Sequence, residues 1–394
     1  MRRLALVTTV VACAVAAPAQ AGSGLLIGAA EDSVKQADVG SAAVQVDLAR
    51  LAGLDALRIT ALWAPGERRV EGGELVALRN AALAAELGGV RLFVSVYPDA
   101  ARNVPLTATA RDDFASYAAS IVTEVPYVRD VIVGNEPNLN YFWQPQFTRT
   151  GGDAAAPAYM SLLATTYDAL KRVDPDVRVI GGALSPRGSD RSGTRPTHSP
   201  TTFIRDLGVA YRASGRERPL MDVFALHPYL ESSSLPPTFR HPRSTSISIN
   251  DYDKLVALLG EAFDDTAQPG RSLPVLYGEF GIQSAIAPAK STQYTNHGAT
   301  SAGDAVSEAR QAAYYRKALE LAYCQPTVVG LFFFHVLDES DLRAWQSGLF
   351  YADRTPKTSL EPVRQAADAA RAGTLVTCRR ERIAPLRPPL AFTG

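Results

Sequence analysis

The sequence predicts a (β/α)8 barrel, and three observations lead to this prediction. Short β-branched runs alternate with amphipathic segments through eight strand-helix units, in a chain long enough for one barrel of roughly 250 residues or more. Connections after the helices are short, whereas several connections after the strands are long. A doubly wound open sheet, the main alternative, would show a Gly-rich phosphate turn after its first strand, and the segment GAAEDS lacks the GxGxxG spacing. The closed barrel therefore explains the pattern better.

Each predicted strand is a short apolar run, as expected for parallel strands that are covered on both faces. In chain order the predicted strands are LLIGAA (25–30), ALRITALW (56–63), VRLFVSVYP (90–98), VRDVIVGNEP (128–137), VRVIGGALSP (177–186), DVFALHPYL (222–230), LPVLYGEFGI (273–282) and VVGLFFFHVLD (328–338).

Each predicted helix is an amphipathic segment that follows one of these strands. In chain order they are VQVDLARLAG, ELVALRNAALAAEL, ARDDFASYAASIVTEV, AYMSLLATTYDALKRV, TTFIRDLGVAYRA, DYDKLVALLGEAF, SEARQAAYYRKALELAY and SLEPVRQAADAARA. Asp174 and Pro175 end the fourth of them, because proline cannot continue a helix.

Four of the strand-to-helix connections are long and rich in Gly, Pro, Ser and Thr: 138–156, 185–200, 230–250 and 283–306. In a barrel, loops of this kind lie at the carboxyl-terminal rim, where active sites are built. We therefore expect the functional residues at this rim.

The ends of the chain differ from the predicted barrel domain, 22–378. Residues 1–21 have two arginines, an apolar stretch and the Ala19-Gln20-Ala21 cleavage pattern, which predicts a secretory signal and a secreted protein. The run ending in Cys13 also resembles a lipoprotein-processing motif, but the chain stays apolar after it, which argues against a lipid anchor. The tail, 379–394, is basic and Pro-rich.

The composition and charge of the chain argue against several classes of binding partner. Hydrophobic residues make up 46% of the chain, and 40 basic and 40 acidic side chains leave no net charge. We therefore expect neither nucleic acid nor an anionic membrane surface as a partner. No segment after the signal is long enough to span a membrane, and we expect a monomer. The five His and three Cys show no zinc-ligand spacing, so neither a metal nor a cofactor is predicted.

Cys324 and Cys378 remain as a pair once the signal is removed. A disulfide between them would close a loop of about 54 residues and stabilise the fold by about 4 kcal/mol in the chain-entropy model. Two unpaired buried thiols are the alternative.

Two predicted strands carry a glutamate near the carboxyl end, directly after an apolar run. Glu136 follows the apolar run of the fourth strand, and Glu279 follows that of the seventh. Because both strand ends lie at one rim, the two carboxylates can face each other across the barrel axis. A carboxylate pair is the minimal equipment for glycoside hydrolysis. For either glutamate alone, pairing with an arginine or capping a helix is the alternative.

These two segments, GNEP and YGEFG, resemble the glutamate motifs of clan A of the retaining glycoside hydrolases, and SGLFYADRTPKTSL is similar to the closing segment of families 5 and 39. The resemblance implies that Glu136 is the acid/base and Glu279 the nucleophile. It also implies supporting roles for residues that bind the sugar or flank the nucleophile: Asn135, Arg58, His227 and Tyr229.

The residues themselves agree with part of this assignment. Arg58 is an inward charge on an apolar strand and needs an acidic partner, which could also be Glu31 or Asp32. His227 could instead be a hydrogen-bonded core histidine.

Aromatic rings near strand ends could cover the apolar face of a sugar, or could equally pack beneath a loop. The candidates are Trp63, Tyr97, Trp143 and Trp345. The eighth strand departs from the family 5 pattern, since Phe334 and His335 stand where a tryptophan is usual, and Trp345 could return to fill that place.

The prediction is thus a secreted retaining glycosidase that acts on an oligo- or polysaccharide without a cofactor. A transglycosidase would use the same residues, and a glycan-binding barrel without hydrolysis would lack one carboxylate. An aldolase would need a lysine at the rim and a metal hydrolase a His/Asp cluster on the strands, and the strands supply neither.

Overall fold

The fold is a closed barrel of eight parallel strands in sequence order, which confirms the predicted (β/α)8 architecture. The computed structural model describes residues 24–296 and 303–378. The predicted signal, 1–21, and the predicted tail, 379–394, lie outside the described residues.

The strands lie within the predicted segments, although β4, β6 and β8 each end four residues before the predicted end. They are β1 (Leu26–Ala30), β2 (Ala56–Trp63), β3 (Arg91–Pro98), β4 (Asp130–Val133), β5 (Arg178–Leu184), β6 (Val223–Leu226), β7 (Val275–Phe280) and β8 (Val328–Phe334). β1 pairs with both β2 and β8, and this second pairing closes the barrel.

Every predicted helix is present, and one four-residue helix, α7, adds to them. The helices are α1 (Val39–Leu51), α2 (Gly72–Gly88), α3 (Ala108–Glu124), α4 (Ala155–Val173), α5 (Pro200–Ala213), α6 (Tyr252–Phe263), α7 (Pro288–Ser291), α8 (Glu308–Tyr323) and α9 (Leu360–Arg371). Side-chain oxygens of Asp38, Thr107, Ser199 and Ser307 accept backbone N–H groups at the starts of α1, α3, α5 and α8. These caps satisfy donors that a helix leaves unpaired, which explains why the helices begin there.

The hydrophobic core has two layers, as a barrel requires. The outer layer lies between strands and helices. The inner layer fills the barrel itself, and its rings Phe93 and Phe332 meet edge to face with centroids 4.9 Å apart. The inner layer comprises Ala56, Phe93, Ile132, Ile180, Ala183, Val223, Ala225, Leu276 and Phe332.

The long loops follow the strands, as predicted, and a further long connection, 335–359, follows β8. Cys324, at the end of α8, forms a disulfide with Cys378 beyond α9, which confirms the predicted pairing. Within 24–296 and 303–378, none of the helices has both the length and the apolar character needed to cross a membrane.

Candidate active site

Glu279 lies on β7 at the rim, where the strand register is irregular. The pairing of β7 with β8 shifts between Tyr277 and Phe280, the segment that contains Glu279. Such a shift changes the direction of a side chain relative to simple strand alternation. Gly278 precedes it, and a Cβ there would lie 3.2 Å from the His227 ring. Glycine at this position therefore lets the imidazole approach the carboxylate.

The Glu279 carboxylate is held by two donors, Arg58 on β2 and Tyr229 in the segment after β6. Arg58 of β2 reaches across the barrel and places Nη1 2.6 Å from Oε1, while the Tyr229 hydroxyl donates to Oε2 over 3.0 Å. Burial opposes ionisation of this carboxyl group, but the His227 ring, the Arg58 charge and the hydrogen bonds from Tyr229 and Arg58 hold its pKa below the ordinary value. Glu279 is therefore kept as a carboxylate.

Tyr229 remains a hydrogen-bond donor. Burial, followed by the nearby charges of Glu279 and Glu136, raises the pKa of its hydroxyl well above the ordinary value. The phenol thus stays protonated and can only strengthen the ionised form of Glu279.

Glu136 reaches the site through an irregular backbone, because β4 ends at Val133. Glu136 therefore lies beyond the strand, whereas the predicted strand continued through it to Pro137. Gly134 has φ 86° and Glu136 has φ 40°, a region that a residue with a side chain rarely adopts. The Glu136 N–H donates to the carbonyl of Ala183 on β5 over 2.9 Å, which fixes this conformation.

His227 follows β6 and connects the two carboxylates. Its Nδ1 lies 3.1 Å from Glu136 Oε1 and 3.6 Å from Glu279 Oε2. Its Nε2 lies 3.4 Å from Nη1 of Arg58. Since a guanidinium group only donates, Nε2 accepts and the ring proton is on Nδ1, where it can be donated to Glu136. The structure thus brings Arg58, Glu136, His227, Tyr229 and Glu279 into one cluster.

Asn135 lies beside Glu136 and is buried, and its Oδ1 has no hydrogen-bond partner among the described residues. A buried carbonyl oxygen without a donor is costly, so it is available to a ligand hydroxyl.

Two of the four predicted aromatic residues lie at this site. Trp345 packs against Tyr229, with ring centroids 5.4 Å apart, and against Phe334. The chain after β8 therefore returns a tryptophan to the site. Tyr97 of β3 lies close enough to Arg58 and Glu279 to interact with both charges.

The other two tryptophans lie elsewhere. Trp63 is 0% exposed, packs edge to face on Phe114 of α3 and donates its indole N–H to the carbonyl of Glu67. Trp143 is 1% exposed and packs on Tyr159 of α4. Both rings fill the space between the barrel and its helices, so the structure does not place them in a sugar-binding groove. Sequence position near a strand end did not distinguish them from Trp345.

Several supporting residues were missed in the sequence. The side chain of Asn138 is fully buried, donates to the carbonyls of Ser185 and His198, and accepts the Ser185 N–H. It thereby fixes the loop that carries Glu136. The sequence did contain an indication of this role. Asn138 directly follows the GNEP segment, and asparagine side chains often form hydrogen bonds with loop backbone.

A buried ion pair fixes the loop that carries Trp345. Lys357 Nζ lies 2.7 Å from Asp338 Oδ1 and also donates to the Ser284 hydroxyl and to the Gln346 carbonyl. Lys357 thus connects the loops after β7 and β8. It belongs to the SGLFYADRTPKTSL segment, and the resemblance of that segment to families 5 and 39 did not indicate this role.

An aromatic row leads outward from Tyr97. Phe142 packs edge to face on Tyr97, and Tyr141, which is 78% exposed, packs on Phe142. Both residues lie on the loop after β4. They extend the apolar surface of the site toward solvent.

The comparisons with known proteins agree with this fold. No protein-family model and no curated protein matches the sequence. Solved structures do match. A monomeric beta-xylosidase from Caulobacter crescentus CB15 has a TM-score of 0.53 and 17% identity, and covers 89% of this chain and 68% of its own. The structural neighbours of the present chain are clan A glycoside hydrolases, all at low sequence identity.

A GH5_18 protein from Streptomyces cattleya, solved in complex with GlcNAc, has a TM-score of 0.60 and 16% identity over 92% of this chain and 83% of its own. A Bacteroides uniformis beta-glucuronidase has a TM-score of 0.55 and 13% identity over 88% of this chain. The present chain spans only 35% of that larger protein. At these identities the likeness establishes the barrel fold.

Proposed function

We propose that this protein is a retaining glycoside hydrolase that works by double displacement. The observation that carries the proposal is the contact of both carboxylates, Glu136 and Glu279, with one imidazole nitrogen of His227. Two oxygens that contact the same atom at these distances lie within about 7 Å of each other. This bound includes the about 5 to 5.5 Å between the carboxyl groups of retaining enzymes and excludes most of the about 6.5 to 9.5 Å range of inverting ones.

The surroundings of the two carboxylates divide their roles. Glu279 alone is paired with Arg58 and Tyr229, and it is therefore the ionised nucleophile that attacks the anomeric carbon. Glu136 lacks an arginine partner among the described residues and donates the proton that releases the leaving group. It then accepts a proton from the water that cleaves the glycosyl-enzyme. The Nδ1–H of His227 stabilises Glu136 as a carboxylate during this second step.

The remaining residues of the site would bind the sugar. The unpartnered Oδ1 of Asn135 accepts a hydrogen bond from a hydroxyl beside the reacting carbon. Trp345 and Tyr97 cover the apolar C–H faces of the ring. The matching structures include a beta-xylosidase, a beta-glucuronidase and an exo-beta-1,4-mannosidase, so they support the reaction class and not a particular sugar.

Secretion is part of the same proposal. Residues 1–21 have the composition of a secretory signal, and the disulfide between Cys324 and Cys378 is of the kind that persists in oxidising compartments. Oligo- or polysaccharides outside the cell are then the substrates.

The proposal is tested by trapping the intermediate. The protein is incubated with a panel of activated 2-deoxy-2-fluoro glycosides, digested and analysed by mass spectrometry. We expect the label on Glu279, and the reactive glycoside names the sugar. A label on another residue contradicts the assignment of the nucleophile.

Azide rescue separates the two carboxylates. With an activated substrate, azide should give the inverted glycosyl azide in Glu279→Ala and the retained one in Glu136→Ala, because only the second variant still forms the covalent intermediate. Glu261→Gln, a change at an exposed glutamate of α6 that pairs with Arg205, serves as control and should keep parental activity. Retained azide product from Glu279→Ala would reverse the roles.

A further inference from the structure

A second cluster of ligand-type side chains lies outside the candidate active site. Asp153 stands just before α4, His198 precedes α5, and Asp206 lies in the second turn of α5. One donor atom from each residue lies within 4.8 Å of the others. The three residues come from separate parts of the chain, so no sequence spacing revealed them.

Two members of this cluster carry buried polar atoms without a partner. The His198 ring is 2% exposed, and its Nε2 lies 2.9 Å from the carbonyl oxygen of Gln146 and 3.3 Å from Asp153 Oδ1. Its other nitrogen, Nδ1, has no hydrogen-bond partner among the described residues. The same holds for Oδ2 of Asp153, whose side chain is 9% exposed. Buried polar atoms are nearly always satisfied, so these atoms indicate an absent partner.

The charges point to a cation as that partner. Asp206 contacts Asp153, and Asp190 adds a third negative charge nearby. In 24–296 and 303–378, no lysine or arginine forms an ion pair with Asp153 or Asp206. A cation between the two carboxylates offsets their mutual repulsion and supplies a partner for the unsatisfied oxygen of Asp153.

We propose that Asp153, His198 and Asp206 bind a divalent cation of the zinc or manganese type. Imidazole nitrogen with carboxylate oxygen suits these ions, whereas calcium and magnesium prefer oxygen ligands alone. Bound donor atoms lie about 2.0 to 2.2 Å from zinc, so the three side chains need only a small rotation to close on an ion.

The cation would connect the starts of α4 and α5 beside the loop that carries Glu136. The His198 N–H donates to the carbonyl of Asn138, and the His198 carbonyl accepts from the Asn138 side chain. Asn138 lies two residues from Glu136, so an ion on His198 stabilises the segment that holds Glu136 in its unusual backbone conformation.

The test uses the full chain, stripped with a chelator and titrated with Zn²⁺, Mn²⁺ or Ca²⁺. Calorimetry and elemental analysis give the stoichiometry, and thermal unfolding gives Tm. We expect one Zn²⁺ or Mn²⁺ per chain and a rise in Tm of about 3 °C or more. Asp206→Asn should weaken binding at least about tenfold, since it removes a charged ligand. Asp112→Asn, at an exposed position of α3, should bind as the parent does.

Without metal, Asp206→Asn should unfold at or above the Tm of the metal-free parent, because the change removes repulsion between two carboxylates. That result would exclude a folding defect as the cause of weaker binding. The absence of saturable Zn²⁺ and Mn²⁺ binding by the parent would overturn the proposal. So would parental affinity in Asp206→Asn, or stronger stabilisation by Ca²⁺ than by either other ion.

Discussion

Replacement of Arg58 by Met tests the ion pair on which the proposed nucleophile depends. The Arg58 and Glu279 side chains are only 6% and 10% exposed. Removing one partner of a buried pair costs about 3 to 5 kcal/mol, because the other charge is left uncompensated. Glu279 keeps its contacts with Tyr229 and His227, so we expect the lower value, about 3 kcal/mol, and a fall in Tm of about 4 °C.

The cost should depend on pH in a defined direction. In the parent, burial opposes ionisation, but His227, Arg58 and Tyr229 hold the pKa of Glu279 below its ordinary value. Ionised Glu279 therefore stabilises the fold above its unfolded-state pKa, and this contribution is lost as the pH falls through the lower folded-state pKa. Without Arg58 the stabilisation disappears and burial dominates. The variant should thus be most destabilised near pH 7 and approach the parent below about pH 4.

The measurement is the free energy of unfolding in urea for parent and variant at several pH values between about 3 and 7. Arg69→Met is the matched control, because Arg69 pairs with Glu124 at 2.6 Å but is 63% exposed. An exposed pair contributes about 1 kcal/mol or less, at every pH in this range. Equal costs in the two variants, or a cost of Arg58→Met that does not change with pH, would refute the reasoning.

Three further predictions concern binding and stability. Trp345→Ala should raise KM about 3- to 10-fold at little cost in Tm, as expected for loss of one aromatic contact, whereas Trp63→Ala should cost about 3 to 5 kcal/mol of stability without changing KM. Asn138→Ala should cost about 1 to 3 kcal/mol, measured by urea unfolding, and lower kcat because the Glu136 loop loses its hydrogen bonds. Reduction of the Cys324–Cys378 disulfide should lower stability by about 4 kcal/mol while activity at 25 °C is retained. Parental KM in Trp345→Ala, or an unchanged Tm after reduction, would contradict these expectations.

The sequence predicted the elements of the fold because both faces of each strand are buried, which leaves a local signal of apolar runs. It also indicated the rim glutamates, since a carboxylate after such a run is conspicuous. The local backbone at the site was not predictable in the same way. The φ of 40° at Glu136 and the register shift near Glu279 are set by contacts with β5 and β8. Burial of Trp63 and Trp143 likewise depends on the helices that cover them.

The difference between the two carboxylates follows from the order of strands in the closed barrel. β6 lies next to β7, so His227 and Tyr229 at its end reach Glu279 directly. Arg58 is on β2, which is not adjacent to β7, and it reaches Glu279 only because the barrel closes and its side chain crosses the interior. β4 lies beyond β5 on the other side of β6, and Glu136 contacts His227 but not Arg58 or Tyr229 among the described pairs. A guanidinium partner for one carboxylate and an imidazole donor for the other thus arise from position in the barrel. This asymmetry is the physical basis for expecting a nucleophile at Glu279 and a proton donor at Glu136.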